Sequence, residues 1–86
     1  MEYWLRIQRL STGEHMVSAY PATGTLDILH HTYSSWGQFK ATFSKWVDEA
    51  EMEALDSTLS KSSFGVDVYK DRRVVTRSIL DDLGFR

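Results

Sequence analysis

"EYWLRIQRLSTGEHMVSAY", residues 2–20, is the stretch on which the fold turns. Tyr3, Leu5, Ile7 and Arg9 alternate with Trp4, Arg6, Gln8 and Leu10. A period of two, carried by branched and aromatic residues, predicts a strand over 2–10 with one buried face. "STGE" follows, and Gly13 can adopt the positive φ of a tight turn. "HMVSAY" (15–20) reads as a second strand, so the pair predicts a β-hairpin.

The chain downstream fits around that hairpin. "YPATGT" holds the only proline, Pro21, and is the clearest loop. Residues 26–33 read as a third strand, with Leu26, Ile28 and Thr32 alternating with Leu29 and Tyr33; a short helix is the competing reading. Ser35 and Gln38 then have the spacing of a capping box ahead of an apolar periodic run. At about 100° per residue, Trp36, Phe39, Phe43, Trp46, Val47, Ala50 and Ala54 share one stripe. This predicts a long helix over 35–60 laid across the sheet. Gly37 weakens its first turn by about 1 kcal/mol relative to alanine.

Met52, Leu55 and Leu59 do not belong to that stripe. In a continuous helix their face is displaced by about 140°. Either the helix breaks near residues 50–53, or a second apolar face is covered by the C-terminal segment or by a partner. "STLSKSSFG" ends the helix, and "GVDVY" (65–69) is a strand with Val66 and Val68 on one face. In the last stretch Val75, Ile79 and Leu83 are spaced by four, Asp71 is placed to cap, and Gly84 suits the position after a helix end. These favour a helix over 71–83, although Arg72, Arg73, Asp81 and Asp82 oppose its dipole. A hairpin with 65–69 is the alternative. The sum is an α+β domain spanning residues 1–86. It comprises an antiparallel sheet of three or four strands, one long helix on one face, and a short C-terminal helix.

Eighty-six residues allow one core. Charged residues at 26% and hydrophobic residues at 42% place the chain among ordinary globular proteins rather than disordered ones. Trp4, Trp36 and Trp46 supply the large apolar area that so small a core needs. Without cysteine there is no disulfide, no thiolate nucleophile and no thiolate metal site. The N-terminus carries Glu2, Arg6 and Arg9 and lacks a signal-peptide pattern, and no run approaches the roughly 18 apolar residues of a membrane span. A cytoplasmic location is the expectation.

Catalytic motifs are missing. Neighbours on a strand point to opposite faces, so His30 and His31 cannot chelate one ion together. There is no G-x-S-x-G elbow and no glycine-rich phosphate loop. We therefore expect neither an enzyme nor a cofactor nor a metal.

Binding is the remaining class, and charge is unevenly spread for it. Residues 48–56 hold five acids and no base, within a chain of net charge −2. Met52, Leu55 and Leu59, rimmed by Asp48, Glu49, Glu51 and Asp56, have the composition of an interface: an apolar anchor with charges that steer a basic protein partner. The competing reading packs the same ridge under Val75, Ile79 and Leu83. Tyr69, Lys70, Arg72, Arg73 and Arg77 form a basic cluster beside an aromatic ring, a grip for a nucleic-acid backbone and the second functional reading. A homodimer joined through the Met52 ridge is the third. In size, absence of cysteine and absence of catalytic residues the chain resembles small phage and mobile-element proteins that act by binding, anti-CRISPR inhibitors of host enzymes among them. That likeness is one of kind, and it implies a viral inhibitor or regulator of a host protein.

Overall fold

The computed structural model describes residues 2–22, 28–61, 66–68 and 75–85, the strand 66–68 by its backbone alone. The architecture is the expected α+β domain. Strand β1 (Glu2–Arg9) pairs antiparallel with β2 (His15–Pro21), and β2 with β3 (Leu29–Tyr33). On its other side β1 takes two short partners, β4 (Val66–Val68) opposite Leu5–Ile7 and β5 (Val75–Thr76) opposite Glu2–Tyr3. The order is β3-β2-β1-β4, with β5 beside β1.

The hairpin forms as its alternation dictates. Gly13 sits at φ 92° in the turn, which is closed by bonds from Leu10 N–H to Glu14 O and from Gly13 N–H to Leu10 O. Tyr3, Leu5, Ile7, His15, Val17 and Ala19 are buried on one face. Pro21 is not in the loop where its type placed it. It is the last residue of β2, opposite Tyr3, and Ala22 donates to Glu2 O immediately after it. A proline is tolerated there because the end of a strand can lose one donor.

Two helices stand where one was expected. Helix α1 spans Trp36–Phe43 and α2 spans Glu49–Lys61. Ser35 caps α1 as expected, its hydroxyl accepting from Gln38 N–H. The Gln38 side chain reaches back to Ser34 N–H, one residue before the cap. Asp48 starts α2 by accepting from Glu51 N–H at 2.8 Å. The break falls at residues 44–48, earlier than the 50–53 considered from periodicity. It resolves the two-stripe puzzle. Phe39 and Phe43 are buried from the first segment, Val47 from the break, and Met52, Leu55 and Leu59 from the second segment. Ala50 and Ala54, assigned to the aromatic stripe, are exposed on α2.

Residues 75–85 contain a short strand and then a helix, but the alternative hairpin with 65–69 does not form, since β4 and β5 both pair with β1. Val75 and Thr76 are strand, and α3 (Arg77–Asp82) begins at a Thr76 cap rather than at Asp71. The inward residue of α3 is Leu80, while Ile79 is only half-buried. Beyond the helix, Gly84 has φ 96°, its N–H bonds Asp81 O, and Phe85 N–H bonds Leu80 O. This Schellman closure tucks Phe85 into the core.

The core lies between the helices and the inward face of the sheet, and aromatic rings fill its centre. Trp36, Phe39 and Phe43 stack in series, at 5.1 and 4.3 Å. Tyr33 meets Phe39 and Phe43 edge-on.

Candidate functional site

The apolar ridge singled out from the sequence is core. Met52 is 1% exposed, Leu55 7% and Leu59 2%. They are buried because the break at 44–48 lets α2 rotate its own apolar face onto the sheet. These three side chains are therefore not exposed to a protein partner or to a second copy of the chain. The acids around it have local duties. Asp48 caps α2, Glu49 and Glu51 stand in its first turn, where negative charge complements the dipole, and Asp56 pairs with Arg9 at 2.5 Å.

Of the basic cluster, Tyr69, Lys70, Arg72 and Arg73 lie outside the described residues. Arg77 is exposed and sits 3.4 Å from Asp81 across one turn of α3. The two ends of the intervening chain are informative: Val68 pairs with Leu5 and Val75 with Tyr3. Val68 and Val75 thus lie beside the two neighbours of Trp4 on β1.

His30 and His31 face opposite ways, as strand geometry requires. His31 points toward the helices and packs on Tyr33 and Phe85. His30 is exposed on the far side, where its Nδ1 lies 3.0 Å from Ser18 Oγ. Ser18 is 4% exposed, so its hydroxyl is closed to a substrate; the contact ties β2 to β3. Among the described residues no group of three or more metal-ligating side chains gathers, and no helix is long and apolar enough to cross a membrane.

The surface that stands out is the outward face of the sheet. Strand pairing sets Trp4 beside Tyr20, Arg6 beside Ser18 and His30, and Gln8 beside Met16 and Thr32. Trp4 and Tyr20 stack at 4.4 Å with their planes 16° apart. The Arg6 guanidinium lies over both rings, at 5.7 and 5.5 Å. Ile28, just before β3, is 40% exposed at the same end. The hydrophobic core takes its sheet side chains from Tyr3, Leu5, Ile7, Val17, Ala19, Leu29, Tyr33 and Val75, all from the opposite face. From the sequence Trp4 is assigned to the core along with Trp36 and Trp46; Trp36 and Trp46 pack against the core, but Trp4 lies with Arg6 on the outward face of β1. The signal was present. An outward row ordinarily polar in a half-solvated antiparallel sheet here holds tryptophan, tyrosine and methionine.

The chain matches no protein-family model, no curated protein and no solved structure.

Proposed function

We propose that the protein is a non-catalytic protein-binding module, inhibitory or regulatory in kind, that engages its partner through the outward face of the sheet. One observation carries this reading: the Trp4–Tyr20 stack with Arg6 across it, outside the core on a sheet face that also holds Met16. Tryptophan, tyrosine, arginine and methionine are the residues enriched where proteins meet, and the aromatic and arginine anchors carry most of the binding energy. The stack also holds the two rings in place before binding, which lowers the entropy cost of docking. Affinity capture with three forms of the protein tests it: wild type, a Trp4→Ser/Tyr20→Ser double variant, and Ile28→Lys. A protein retained by the wild type and lost by folded variants is the expected result. Retention by both variants, each with native circular dichroism, overturns it.

A second reading is binding of single-stranded nucleic acid on the same rings. What favours it is the sequence, in which Lys70, Arg72, Arg73 and Arg77 cluster beside Tyr69. Ring stacking with nearby phosphate neutralisation is the general mode of such binding. Steeply salt-dependent binding of an unstructured oligonucleotide, lost in Trp4→Ser, distinguishes this from protein binding.

A further inference from the structure

At the turn end of the hairpin, Arg9 gathers three elements. Its Nε donates to His15 Nε2 at 2.8 Å, and its terminal nitrogens reach Ser60 Oγ at 3.0 Å and Asp56 Oδ1 at 2.5 Å. The guanidinium also lies 5.1 Å over the Trp36 ring. His15 is 1% exposed and packs against Trp36 and Phe39. Since Nε2 accepts from a permanently charged donor, this geometry requires His15 to be neutral.

We infer that Arg9 and His15 form an acid-releasable latch, which holds the C-terminal half of α2 against the hairpin and lets go when His15 takes up a proton. Protonation puts a hydrogen on Nε2, where the Arg9 Nε–H already points, and sets two cations in contact. The imidazolium gains little at its other nitrogen, because Nδ1 is buried without a well-formed hydrogen bond and the nearby Gly13 backbone opposes burial and Arg9 only weakly. Arg9 must then turn away, and its bonds to Asp56 and Ser60 turn with it.

Around the imidazole, β1 contributes Arg9, α2 contributes Asp56, and α1 contributes only the rings of Trp36 and Phe39. Burial and then Arg9 hold His15 below its ordinary value near 6.5, while the Gly13 backbone and Asp56 oppose them less strongly. The consequence for pH has a definite sign. With the latched pKa depressed, the open state binds more protons below about pH 6.5, so acidification favours opening.

Amide hydrogen exchange on the full chain between pH 7 and 5 tests the latch, with protection corrected for intrinsic rates. The expected result is a selective loss of protection at residues 56–61. Their opening constant should rise toward the one-proton limit of about tenfold per pH unit, and His15→Gln should abolish that slope. An equal slope in His15→Gln overturns the inference. So does a loss spread evenly over β1, β2 and α2, since that is global destabilisation without release of α2. Should His15→Gln fail to fold, an imidazole titration of the wild type by NMR decides: protonation at or above pH 6.5 with protection at 56–61 intact overturns it.

Discussion

The Tyr33 hydroxyl donates a 2.7 Å hydrogen bond to the carbonyl of Leu83, fifty residues along the chain. Tyr33 is 2% exposed, and Leu83 is the residue on which α3 ends. The bond therefore fixes the end of the last helix to the edge strand β3. Tyr33→Phe keeps the ring contacts with Phe39 and Phe43 and leaves a buried carbonyl unsatisfied. The expected cost is about 1–3 kcal/mol. A thermal melt should show a drop of about 4–8 °C for each kcal/mol lost. Burial also pushes the phenol well above its ordinary value of 10.0. The folded state thus keeps its proton where the unfolded chain loses it, and stability should fall as pH rises above about 10.

Met52 and Leu55 offer a second measurement. Each side chain fills the space between α2 and the sheet, so truncation to alanine should cost about 2–5 kcal/mol. A double exchange to glutamine adds unsatisfied polar groups and should abolish cooperative unfolding in urea. A folded double variant that had lost only a binding activity would contradict the packing described above.

Asp48 is the third. Asp48→Ala removes the acceptor for Glu51 N–H and should lower stability by about 1 kcal/mol. Asp48→Asn retains an acceptor and loses only the charge at the helix start, a smaller effect of about 0.3–1 kcal/mol that added salt should erase. Denaturation of the three proteins at low and high ionic strength separates the two contributions.

Gly84 supplies the fourth. Its φ of 96° is open to glycine and strained for other residues, and an added Cβ would rest 3.5 Å from the His31 ring. The contact is ordinary, so the backbone sets the cost. Gly84→Ala should destabilise by about 1–2 kcal/mol. In an NMR spectrum the disturbance should appear first in Phe85 and His31, whose rings touch.

The hairpin was legible in the sequence because one face of each strand is buried, which writes burial directly into alternation. The Ser35 cap and the Gly84 stop were legible for the same local reason. The division of the long helix was read only as one of two alternatives and placed near 50–53, since apolar periodicity shows that two stripes disagree but not where the chain turns between them. The spacing Asp48-x-x-Glu51, a start signal of the same type as Ser35-x-x-Gln38, was the clue. Val75, Ile79 and Leu83 misled in a similar way: their equal spacing joins a strand residue, a helical one and the residue that caps the helix end. The role of His15 was not legible, because Arg9, Asp56 and Trp36 come together around it through the hairpin and two helix packings. The Met52 ridge misled for a related reason. Composition gives the chemistry of a face and not what lies against it.

The position of β1 has a consequence for assembly. Its partner on one side follows immediately in the chain, but its partners on the other side are residues 66–68 and 75–76. During synthesis the hairpin can close early, whereas the opposite edge of β1 stays bare until three-quarters of the chain has been made. Unpaired strand edges recruit other strands, so this interval is when a nascent chain is most exposed to mispairing. A chain stopped before residue 66 would carry that bare edge permanently.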